Sequence, residues 1–117
     1  MKTIALAISI MIATLGQSLA QPVESANDIK ASCQFVGGSA KTDLDAANAL
    51  FCMGFVRAIL FTGRRLDGQD KFCPPEGVHV SQATKTFLAY LNENPEKGQL
   101  PPEDLMILAF RKAWHCQ

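Results

Sequence analysis

The stretch Ala46–Gly63, AANALFCMGFVRAILFTG, decides the fold. It is apolar on nearly every side, interrupted only by Asn48, Arg57 and Thr62, and its length favours a helix over a strand. Thr42, with Asp45 three residues later, supplies a helix-start signal just before it. A helix that is apolar all round belongs inside a domain, so this one is expected to be the central helix. Gly54 costs such a helix about 1 kcal/mol relative to alanine, which makes sense if a neighbouring helix must approach closely there.

Working outward, Ser25 and Asp28 repeat the same capping pattern ahead of Ala26, Ile29 and Cys33, so a short first helix ends before Gly37-Gly38. Arg64–Lys71 (RRLDGQDK) is polar and contains the turn signal Asp67-Gly68. Pro74, Pro75 and Gly77 then forbid regular structure until Ser81, a good N-cap, behind which Ala83, Phe87, Leu88 and Leu91 share one helical face. That helix stops at Asn94, because Pro95 pushes the residue before it out of the helical region. Pro101, Pro102, Glu103 and Asp104 open a fourth helix in accord with its dipole, and Leu105, Leu108, Ala109, Ala113 and Cys116 fall on one face of it. Nothing alternates like a strand. The fold class is therefore all-α, a small single-domain bundle of about four helices.

The chain's beginning reads as a secretory signal peptide over residues 1–20. Lys2 gives a positive start, Ile4–Leu15 an apolar run too short to cross a bilayer, and Ser18-Leu19-Ala20 a cleavage site. No later segment is expected to span a membrane. The mature domain, residues 21–117, loses Lys2 and is left with ten basic against eleven acidic residues, which gives no electrostatic case for nucleic acid or an anionic membrane. Export implies an oxidising compartment, where four cysteines in a small domain read as a disulfide framework. Short antiparallel connections bring Cys33 toward Cys52 and Cys73 toward Cys116, the preferred pairs, with Cys52 to Cys73 left as the alternative.

Chemistry-bearing constellations are sparse. No two cysteines are closer than 19 positions, so a thiol–disulfide catalyst lacks its attacking and resolving pair. Cys73, Cys116, His79 and His115 lack the ligand spacings of structural zinc, so no metal and no cofactor is expected. No glycine-framed nucleophile turn accompanies the serines and histidines, and the carboxylates stand at helix starts where capping explains them. The protein is read as a non-enzyme. Arg57, inside an otherwise apolar helix, is expected to carry its guanidinium to solvent over an apolar stem, and Trp114 to pack against the third helix.

Four segments, taken in order, resemble one family: Phe51-Cys52-Met53-Gly54-Phe55-Val56, Phe72-Cys73-Pro74-Pro75-Glu76-Gly77-Val78, Tyr90-Leu91-Asn92-Glu93-Asn94-Pro95, and Leu108-Ala109-Phe110 with the closing Cys116. Together they are similar to the four-cysteine helical domain of type VI secretion amidase immunity proteins, the Tai-like family. Gly54, Pro75, Gly77 and Pro95 are the motif positions that carry the backbone turns and approaches. The resemblance implies a periplasmic inhibitor that occludes the active site of a peptidoglycan-cleaving amidase effector. It implies a rigid projecting segment as the contact, for which the residues are Arg64, Arg65, Asp67, Gln69 and Asp70, with Glu93–Leu100 as the second candidate. A protein partner is expected, the amidase effector or a second copy making a homodimer. The alternatives are a periplasmic chaperone of the HdeA-like kind, or a structural envelope subunit using the apolar face around Phe55 and Phe61.

Overall fold

The structure, a computed structural model, describes residues 22–117; the expected signal peptide lies outside the described residues. Four α-helices follow in order: α1 (Ala26–Cys33), α2 (Asp43–Gly63), α3 (Val80–Glu93) and α4 (Pro102–Ala113). Short 3₁₀ turns at Gly68–Asp70 and Pro95–Lys97 lie in the α2–α3 and α3–α4 connections. No strand occurs among the described residues, and the all-α reading holds.

The first two helices start as their sequences dictate. Ser25 Oγ accepts from the Asp28 amide while the Asp28 carboxylate accepts from the Ser25 amide at 2.8 Å. Thr42 and Asp45 form the same reciprocal box, with the Asp45 amide donating to Thr42 Oγ1 at 3.1 Å. Each box satisfies amides that a helix start would otherwise leave without partners. The core is built from Ile29 of α1, Val56 of α2, Phe87 and Leu91 of α3, and Leu105, Met106 and Phe110 of α4, with Phe72 inserted from the α2–α3 connection.

Two disulfides staple the domain, Cys33–Cys52 between α1 and α2, and Cys73–Cys116 between the segment before α3 and the chain's end after α4. The second is reinforced by the Cys73 amide donating to the Trp114 carbonyl at 2.8 Å. The antiparallel α3–α4 pair places those two cysteines side by side.

The long apolar helix is not central. Only Cys52, Val56, Leu60 and Gly63 of α2 are buried, while Leu44, Leu50, Phe51, Met53 and Phe61 are exposed. Helix length gives the reason: at 1.5 Å per residue α2 runs about 31 Å, and helices of 8, 14 and 12 residues cannot surround it. Gly54 accordingly meets no neighbour; a Cβ there would have nothing within 4 Å. The close approach lies at Gly63, where a Cβ would overlap the Phe72 ring. By length and composition α2 would also suffice to cross a membrane, which corrects the expectation that no later segment would. Its buried stripe and its disulfide to α1 tie it to the rest of the domain.

Three smaller differences have local causes. α3 starts at Val80 after His79, so Ser81 lies inside the first turn instead of capping it. Val80 packs against the core and draws the chain into the helix sooner, with the Ala83 amide already bonded to the His79 carbonyl at 3.1 Å. The inner face of α4 is Leu105, Met106, Ala109 and Phe110, and Ala113 is exposed. Phe110 takes the inside because it meets Phe72 edge-on at 5.4 Å between ring centroids. Trp114 is half-buried and stacks on Phe110 at 5.1 Å, at the end of its own helix.

Candidate functional site

The segment leaving α2 is held at both ends. At its start Arg65 lies over the Phe61 ring, its guanidinium carbon 3.7 Å from the centroid, and donates to the Phe61 carbonyl at 3.2 Å. The spacing of four residues puts the two side chains one above the other on the helix. At its far end Asp70 meets Arg111 of α4 at 3.8 Å. Between them Gly68 takes a positive φ of 69°, so the chain turns within the 3₁₀ segment Gly68–Asp70. Arg64, Arg65, Asp67, Gln69 and Asp70 are all exposed along this short stretch. The structure therefore places the five sequence-derived contact residues on one surface segment with fixed ends.

Arg64 faces a second feature. With Arg57, Leu60, Phe61, Val78 and Val80 it lines an open cleft of about 270 Å³ between the end of α2 and the start of α3. Arg57 is exposed. The cleft combines two cations with aliphatic and aromatic walls, and arginine is among the residue types enriched in contact hot spots.

The other sequence-derived positions serve the backbone. The Pro75 carbonyl accepts from the Val78 amide at 3.3 Å, and Gly77, at φ 75°, completes that turn. Pro95 opens the 3₁₀ turn Pro95–Lys97, which lies against the start of α1: the Ala26 amide donates to the Leu100 carbonyl at 2.8 Å and the Asn27 amide to the Gly98 carbonyl at 3.0 Å. The second candidate segment, Glu93–Leu100, is thus committed in part to holding α1. Lys97 Nζ donates to the Tyr90 hydroxyl at 2.8 Å, a bond that raises the lysine's pKa above its ordinary value.

All four cysteines are consumed in disulfides, and among the described residues no three His, Cys, Asp or Glu side chains gather as a metal site would require. What the surface offers is charge, aromatic area and fixed backbone, the materials of recognition. Sequence reasoning missed Phe61 as the platform under Arg65, although the i, i+4 spacing would have shown it. It also missed the exposure of Leu50 and Phe51, which a comparison of helix lengths would have revealed.

No curated protein and no solved structure gives a match to this chain. Residues 25–116, nearly all of the described domain and both disulfides, match the model of a family described as Rap1a immunity proteins. On that extent of match the chain belongs to the Rap1a immunity protein family.

Proposed function

We propose that this is a periplasmic immunity protein that binds a peptidoglycan-cleaving amidase delivered by type VI secretion and occludes its active site. The family match over residues 25–116 carries this reading, since Rap1a family immunity proteins neutralise type VI effectors. The amidase as target comes from the Tai-like segments around Cys52, Cys73, Pro95 and Cys116.

The segment Arg64–Asp70 is the contact that suits an enzyme cleft. A cleft-blocking segment must be rigid before it binds, because ordering a loop on association subtracts from affinity. The Arg65–Phe61 stack, the Gly68 turn and the Asp70–Arg111 contact supply that order in the free protein. Signal-directed export would deliver the inhibitor to the compartment where the target bond lies.

The test is inhibition of a panel of type VI amidase effectors, cutting peptidoglycan, by the mature oxidised domain. Stoichiometric inhibition of one member is expected. The double variant Arg65→Glu, Asp67→Arg should weaken that inhibition by about 30-fold or more, the size of one hot-spot loss. Inhibition untouched by the double variant would remove this segment from the interface. If no amidase were inhibited and the domain instead kept unfolded clients soluble at acid pH, the chaperone reading would replace this one.

A further inference from the structure

A groove of about 320 Å³ between α3 and α4 shares no residue with the Arg64–Asp70 segment. Thr86 and Ala89 of α3 and Ala109 and Ala113 of α4 give it a floor of small side chains, and Tyr90, Glu93 and Lys112 complete its lining. Two lysines converge on Tyr90. Lys97 Nζ donates to its hydroxyl at 2.8 Å, and the Lys97 and Lys112 ammoniums lie 5.1 and 5.5 Å from its ring centroid. Lys97 is half-buried, and among the described residues no carboxylate lies within 4 Å of its Nζ. An ammonium carries three N–H donors, and the phenol takes one. Lys112 does pair with Glu93 at 3.3 Å, but both side chains are 64 % exposed, so that pair is held loosely. Two cations and one carboxylate therefore stand beside a floor of methyl groups.

We infer that this groove binds a short peptide ending in a free carboxylate, with the carboxylate on Lys97 and Lys112 and alanine-sized side chains on the floor. The inference uses neither α2 nor the Arg64–Asp70 segment and is independent of the amidase reading. Three observations select this ligand. The first is charge: the unspent donors of Lys97 suit an anion, and a hydrogen bond between ionised groups is about twice as strong as one between neutral groups. Tyr90 is itself buried and fixes that ammonium through its hydroxyl, so little order is lost when a carboxylate arrives. The second is the polar group at the other end. The Thr86 hydroxyl donates to the Gln82 carbonyl at 3.1 Å, so its oxygen is left to accept, which suits a peptide N–H and not a second anionic group. The third is size. A groove of about 320 Å³ is at the lower end of small-ligand sites, and a floor of three alanines and a threonine leaves depth for methyl groups where bulky side chains would be held off.

Titration of N-acetyl-Ala-Ala into the isotope-labelled, oxidised mature domain, followed by NMR, tests this. Saturable shifts centred on Tyr90, Lys97, Ala109 and Lys112 are expected, with a Kd of about 1 mM or below, as a few fixed contacts in an open groove allow. The C-terminal amide of the same dipeptide should bind about 10-fold more weakly, the loss of one charge-assisted bond, and so should acetate, which lacks the groups that reach Thr86 and the floor. Lys97→Met should weaken binding about 10-fold. Ala89→Leu, at an exposed position on α3, should block the floor while the melting temperature stays near wild type. Running the L and D forms of the dipeptide side by side separates a protein tail from a cell-wall peptide as the source of the ligand. An absence of saturable shifts at Tyr90, Lys97 and Lys112, equal binding of the amide or of acetate, or binding untouched by both variants would each overturn the proposal.

Discussion

Gly54 and Gly63 lie on the same helix and look alike in sequence, yet the fold uses them differently. At Gly63 a Cβ would overlap the tip of the Phe72 ring, and that ring is buried and packs edge-on against Phe110. Gly63→Ala is therefore expected to destabilise by about 1–3 kcal/mol, as overpacking does, despite the gain in helix propensity. Gly54→Ala meets nothing within 4 Å among the described residues and should raise stability by up to about 1 kcal/mol. Thermal melts of the two variants decide the point; equal melting temperatures would mean that Phe72 gives way freely. A glycine's propensity cost can be read from sequence, but the neighbour that requires it comes from another segment. For that reason the close approach was legible as an event in α2 and not as a position.

At the scale of elements, the helix boundaries were legible wherever a local bond sets them. Ser25–Asp28, Thr42–Asp45 and Pro95 mark starts and stops through contacts within three or four residues. The start of α3 and the inner face of α4 were not, because Val80 and Phe110 are placed by partners distant in sequence. The start of α1 gives an acid-dependent prediction. Hydrogen bonds from the Ser25 side chain first, then from the Ser25 and Glu24 amides, hold the Asp28 carboxyl below its ordinary 3.8. A folded-state pKa below the unfolded one contributes stability that is present above the unfolded value and lost as pH falls through the folded value. Melting temperature should thus decline below about pH 4, and Asp28→Asn should lower it at neutral pH while shrinking that decline. An undiminished acid decline in the variant would assign it to other carboxylates. The effect extends beyond α1, since the same first turn receives the Gly98 and Leu100 carbonyls and anchors the α3–α4 connection.

For the whole molecule, the two disulfides hold different things, and magnitudes decide which matters more. Cys73–Cys116 closes a 43-residue loop and Cys33–Cys52 a 19-residue one. Loop entropy assigns them about 4 and about 3 kcal/mol, a difference of less than about 1 kcal/mol in favour of the longer loop. Burial acts the other way. Cys33 and Cys52 are fully buried, so replacing both with alanine leaves a void in the core, whereas Cys73 is exposed and the void there fills with solvent. A cavity of two sulfur atoms costs more than the difference in loop entropy. The Cys33→Ala, Cys52→Ala variant should consequently melt lower than Cys73→Ala, Cys116→Ala, with each well below wild type. The reverse order would mean that the core closes over the missing sulfurs and that loop closure dominates. The predicted order has a functional consequence, because Cys33–Cys52 is the covalent tie between α1 and a helix otherwise held by one narrow stripe. A reducing compartment would loosen α2 first, and with it the Phe61–Arg65 platform, whereas an oxidising one keeps that platform in place.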